Sequence, residues 1–64
     1  NHAFDRAYIN AMVKDHAAAL QLLDQRLIPQ ATNPQLRQYL EVTRAHVAQH
    51  LKQAQAVQNQ LANS

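Results

Sequence analysis

Apolar residues recur every three or four positions through the first part of the chain. The series is Ile9, Val13, His16, Leu20, Leu23 and Leu27, with one histidine among the apolar positions. Spacings that alternate between four and three place these side chains along one face of an α-helix. The stripe is widened on one side by Phe4, Tyr8, Met12 and Ala19. We therefore predict a helix over about residues 3–28, packed in a bundle rather than in a two-stranded coiled coil.

A second series with the same spacing follows two prolines. It consists of Leu36, Leu40, Thr43, Val47, His50, Ala54, Val57 and Leu61. Pro29 disfavours α conformation in the residue before it, which predicts that the first helix ends at Ile28. Asn33 before Pro34 is the predicted N-cap of the second helix, with Thr32 as a competing cap. These signals predict a turn over residues 29–33 and a helix over about residues 34–62.

Two amphipathic helices joined by so short a turn predict an all-α, antiparallel two-helix hairpin that spans residues 1–64 as a single unit. The 64 residues include no glycine and no cysteine. The composition argues against a glycine-rich phosphate loop and excludes disulfides and thiolate zinc sites. A scaffold of this size usually needs disulfides, a bound metal ion or association with more protein to be stable. We therefore expect half of a four-helix bundle.

Two ways of completing that bundle remain open. One is oligomerisation, and the other is pairing with a missing N-terminal half of the parent chain. The chain begins Asn-His-Ala rather than with Met, so we expect a fragment or a processed product. The net charge is +2 and the basic residues are scattered, which does not predict a nucleic-acid partner. No apolar run is long enough for membrane insertion, which we do not expect.

Four histidines are many for a chain of this length. His16 and His50 both occupy the apolar series, and His46 lies one helical turn before His50. Antiparallel pairing about a centre near Ala31 places His16 level with His46 and leaves His50 one turn away. Asp15 lies at the edge of the same layer. These four residues are the candidate metal ligands, for a divalent transition metal such as zinc or iron.

Other interpretations of these residues are open. His16 and His50 can be polar residues of the bundle interior that fix the register of the helices. A pH-responsive packing role is a third interpretation. Asp5, Asp15 and Asp24 are interpreted as solvated or helix-capping residues rather than catalytic carboxylates. No complete catalytic constellation is present, so we do not predict an enzyme.

Three segments resemble a known family. They are Phe4-Asp5-Arg6-Ala7-Tyr8, then Met12-Val13-Lys14-Asp15-His16, and Val47 followed by His50-Leu51-Lys52-Gln53-Ala54. They resemble the C-terminal half of the bacterial domain of unknown function 4142 family. Its members are ferritin-like four-helix-bundle proteins, usually exported and often described as outer-membrane proteins. The family has no established activity, and a ferritin-like fold does not transfer ferritin chemistry.

The resemblance implies a periplasmic or envelope location and two preceding helices with an Asp-His element of their own. It assigns Asp15, His16 and His50 to recurring motif positions, whereas His46 falls outside the pattern. The leading hypothesis is a non-enzymatic helical-bundle module of the bacterial cell envelope that acts through protein–protein association and has no cofactor. The alternative is a ferritin-like metal-binding protein that uses the inward-facing His and Asp residues.

Overall fold

The computed structural model describes residues 1–63 as an antiparallel pair of helical arms. The first arm consists of α1 (His2–Leu22), a π-helical segment (Leu23–Leu27) and α2 (Ile28–Gln30), and the second arm is α3 (Pro34–Ala62). The hairpin measures 46 × 15 × 14 Å. Its two shorter dimensions are those of two helices that lie side by side. The predicted all-α hairpin is confirmed. No helix within residues 1–63 combines the length and the hydropathy of a membrane span.

Asn33 caps the second arm. Its side-chain oxygen accepts hydrogen bonds from the backbone N–H groups of Gln35 (2.9 Å) and Leu36 (3.1 Å). Its backbone is extended, with φ −80° and ψ 122°, and Pro34 opens the helix. The side chain thereby satisfies N–H groups that have no partner within the helix. The prediction of Asn33 over Thr32 as the cap is confirmed.

The first helix does not end at Ile28, so that prediction is wrong: the arm continues through Pro29 to Gln30. In a regular α-helix the proline ring would collide with the carbonyl of Gln25, four residues earlier. The preceding segment is π-helical instead, and the Ile28 N–H donates to the carbonyl of Leu23, five residues earlier. The wider turn gives the ring room that α geometry lacks.

The longer first arm changes which residues face each other. Asn10 pairs with Gln58, His16 with His50, and Asp24 with Arg44. These three pairs are centred on residues 33 and 34. The predicted centre near Ala31 is therefore wrong by two to three residues, and the turn begins two residues later than predicted, which accounts for one residue of that difference. His16 faces His50 directly rather than the level of His46.

The interface between the arms encloses very little. Within residues 1–63 only Leu23 and Ala54 are buried, each with 5% of its surface exposed. In α3 the half-buried residues include Leu51 and Gln58, whereas the predicted seam positions His50 and Val57 are exposed. Adjacent positions such as 50 and 51 lie 100° apart on the helix, so a wide stripe does not fix which of them faces the partner. The rotation of α3 leaves part of the predicted seam open to solvent.

Candidate functional site

Two connected depressions run along one side of the hairpin. The first, of about 320 Å³, is lined by Phe4, Asp5, Tyr8, Ile9, Val57 and Leu61. The second, of about 370 Å³, is lined by Ile9, Met12, His16, His50, Gln53, Ala54 and Val57. Ile9 and Val57 belong to both, so the depressions form one continuous groove. We call this side of the hairpin the front face.

Aromatic side chains form the front face near the chain termini. The rings of Phe4 and Tyr8 are stacked, with centroids 6.3 Å apart and planes 19° from parallel. They are nevertheless 68% and 58% exposed. Val57 flanks them from α3 and is 42% exposed. Clustered aromatic and aliphatic surface of this kind is more typical of a contact surface than of a solvated helix.

A pair of histidines lies further along the same groove. The rings of His16 and His50 are 5.9 Å apart and meet edge to face at 78°. His16 Nδ1 lies 2.8 Å from the backbone carbonyl oxygen of Met12. A carbonyl can only accept, so Nδ1 carries the proton and donates. In the neutral ring the lone pair is then on Nε2, which is the nitrogen left for a further partner.

The opposite side of the hairpin is polar and holds the arms together. The Gln58 side-chain amide donates to Asn10 Oδ1 at 2.8 Å. Arg44 forms a bidentate ion pair with Asp24, in which Nη2 donates to Oδ2 at 3.0 Å and Nε donates to Oδ1. Hydrogen bonding from the guanidinium holds the pKa of Asp24 below its ordinary value, and the carboxylate raises the pKa of Arg44.

Neither cross-link was predicted from the sequence. From the sequence we predict a solvated or capping Asp24, but its carboxylate is paired across the hairpin. Arg44 lies 20 residues away in the chain, so no helical spacing connects the two. The signal that could have found the pair is the cross-helix register, which depends on where the first arm ends.

The four candidate metal ligands are only partly brought together. His16 and His50 are in contact and line the groove, whereas Asp15 and His46 line neither depression. Within residues 1–63 no three histidine, aspartate or glutamate side chains form a group that could hold a metal ion. One hairpin therefore presents two imidazoles in the front face, fewer than the three or four protein ligands of a typical zinc site.

One of the comparisons with known proteins, the comparison with protein families, gives a match. No curated protein and no solved structure matches the chain significantly. A family model described as a domain of unknown function (DUF4142) matches residues 1–57, which is most of the chain. The resemblance of the Asp-His and His-Leu segments is thereby confirmed at the level of the family. The chain belongs to the DUF4142 family of domains of unknown function.

Proposed function

We propose that this chain is a non-enzymatic helical-bundle module that acts through protein–protein association across its front face. The observation that carries the proposal is the exposure of that face. Phe4, Tyr8 and Val57 are all more than 40% exposed, although they adjoin one another. Single exposed apolar residues are ordinary, whereas a contiguous group marks an interaction site.

The amount of exposed surface supports the same proposal. The chain has an accessible surface of 4998 Å² for a mass of 7.2 kDa. A compact folded monomer of that mass exposes about 4,100 Å². The excess of about 900 Å² is close to the roughly 800 Å² that each partner buries in a standard interface. One further partner of similar size is therefore enough to give the hairpin an ordinary surface.

A second copy of the hairpin is the partner that we propose. Two hairpins packed through their front faces form a four-helix bundle, with Leu23, Ala54 and the groove residues in its interior. The paired face of a two-fold dimer must be complementary to itself, which an apolar groove without a dominant charge satisfies. Asp5 is the single acidic residue lining the two depressions.

We also propose that the chain has no enzymatic activity. The Asp24 carboxylate is occupied by Arg44 on the polar side of the hairpin, away from the histidine pair. The carboxylate that lines the groove, Asp5, shares its depression with Phe4, Tyr8 and aliphatic residues, whereas the histidine pair lines the other depression. A location in the bacterial cell envelope rests on the family resemblance, and fractionation of bacterial cells that produce the tagged protein tests it.

Analytical ultracentrifugation of the 64-residue chain, freed of metal with EDTA, tests the association. We expect a dimer at micromolar concentrations. Val57→Gln should shift the equilibrium to monomer, because it places an amide in the interface. Val42→Gln is the matched control: Val42 is also exposed, at 51%, on the same helix, but lines neither depression. A folded wild-type monomer at these concentrations, or equal effects of the two variants, would refute the proposal.

A further inference from the structure

We propose that His16 and His50 form half of a divalent transition-metal site, and that the same pair from a second copy completes it. The inference rests on the proposed association through the front face. It assigns zinc or a chemically similar ion to a four-imidazole site at the centre of the dimer.

The distance between the rings suits a shared ion. Zinc–nitrogen bonds of about 2.0–2.1 Å and tetrahedral angles place the centroids of two bound imidazoles roughly 5 Å apart. The centroids of His16 and His50 are 5.9 Å apart. A side-chain movement of about 1 Å, with a rotation of one ring that turns a nitrogen toward the ion, is needed to convert the observed edge-to-face contact into a pair of ligands. Both side chains can move that far, since His16 is half-buried and His50 is exposed.

The orientation of His16 suits metal binding as well. Ligating histidines almost always donate their second ring N–H to a carboxylate, a carbonyl or water. His16 makes this bond from Nδ1 to the Met12 carbonyl at 2.8 Å. The bond fixes the tautomer of the neutral ring and directs the Nε2 lone pair away from the backbone of α1. This support for the ring is present before any metal binds.

The position of the pair makes a second copy the natural source of the missing ligands. His16 is the central residue of the first arm, and His50 lies two residues beyond the centre of α3. In a two-fold dimer whose hairpins overlap along their full length, as burial of the whole front face requires, the axis runs either along the bundle or across it at mid-length. In both cases the middle of one hairpin meets the middle of the other. The two histidine pairs therefore lie at one level whichever way the hairpins pack.

A zinc titration of the EDTA-treated chain, followed by calorimetry and sedimentation, tests this inference. We expect one zinc ion per two chains and a tighter dimer in its presence. Cobalt(II) should give the intense visible absorption of a tetrahedral site. His50→Gln should weaken zinc binding at least as much as the 10–100-fold that loss of an outer-shell contact costs. His16→Gln should do the same, with helicity checked by circular dichroism.

His46→Gln is the matched control, because His46 is an exposed histidine one turn from His50 on the same helix. We expect this variant to bind zinc within about threefold of the wild type. Loss of binding in His46→Gln together with retention in His16→Gln would assign the metal to one helix and overturn the inference. One zinc ion per chain would also overturn it. A metal-free dimer that binds no zinc refutes this inference alone, whereas a monomer with and without zinc refutes the association.

Discussion

Asp24 and Arg44 join the two arms through a bidentate ion pair on the polar side of the hairpin. Asp24 belongs to the π-helical segment, and Arg44 is half-buried on α3. A guanidinium that meets a carboxylate with two nitrogens fixes an orientation as well as a distance. The pair therefore fixes the cross-helix register at the level where the first arm changes its helical geometry.

Replacing Asp24 with Asn should lower the melting temperature at neutral pH. Because Arg44 lowers the pKa of Asp24 in the folded state from its ordinary 3.8, the ion pair stabilises the fold fully above that value. Its contribution is lost as the pH falls through the still lower folded-state pKa. The difference in melting temperature between wild type and Asp24→Asn should therefore shrink below pH 3.8. Thermal denaturation at a series of pH values measures it.

Glu41→Gln is the control for that variant. Glu41 pairs with Arg37 at 3.7 Å within α3, and both side chains are more than half exposed. A pair within one helix stabilises that helix but does not join the arms. We expect a smaller loss in melting temperature than for Asp24→Asn. Equal losses would mean that the cross-helix pair does not fix the register.

The cap at Asn33 gives a second prediction. Asn33→Ala removes the acceptor for the N–H groups of Gln35 and Leu36, which typically costs about 1 kcal/mol. For a chain of this size the melting temperature should fall by roughly 4–8 °C. Thr32→Ala is the control, because Thr32 is the alternative cap that the structure does not use. An equal fall in both variants would contradict the assignment of the cap.

Two adjacent leucines give a third prediction. Leu23 is 5% exposed and Leu22 is 48% exposed. Leu23→Ala should destabilise the hairpin by about 2–5 kcal/mol, enough to unfold a scaffold with so little interior. Leu22→Ala should change the free energy of unfolding by less than about 0.5 kcal/mol, because Leu22 is exposed and lines neither depression of the front face. Urea denaturation at one protein concentration compares them.

Ala54 gives a fourth prediction. Its methyl group is buried in the groove beside the histidine pair, with 5% of the residue exposed. Ala54→Leu should destabilise the fold by about 1–3 kcal/mol, because the added carbons force the arms apart. Ala56→Leu places the same side chain at an exposed position two residues away, where helix propensity is nearly unchanged. A neutral Ala54→Leu would contradict the prediction, because it would mean that the groove takes up the added carbons without separating the arms.

The fold could be predicted from the sequence wherever the signal is local. The helical spacing, the lack of glycine and the Asn33-Pro34 cap each depend on neighbouring residues, and together they give the all-α hairpin. Pro29 is also a local signal, but it indicates only that regular α geometry is unfavourable there. The proline does not distinguish a helix that ends from a helix that widens by a π-helical turn. The structure has the π-helical turn.

The candidate site was predicted less completely because it depends on the register. The sequence identifies His16 and His50 as histidines within apolar series, but a turn centre two to three residues in error brings His46 to the wrong level. The same error hides the pairing of Asp24 with Arg44. The end of the first arm alone does not give these pairs either, because they are centred one to two residues beyond Thr32, the middle of the observed turn.

The small interior between the arms has a consequence for the amount of protein in a cell. If the proposed dimer supplies the missing burial, each tenfold increase in chain concentration adds about 1.4 kcal/mol of stability per mole of dimer, or about 0.7 kcal/mol per chain. Freshly made chains at low abundance would spend more time open and be degraded, whereas abundant chains would protect one another. The rate of synthesis would then set a threshold below which little folded protein accumulates.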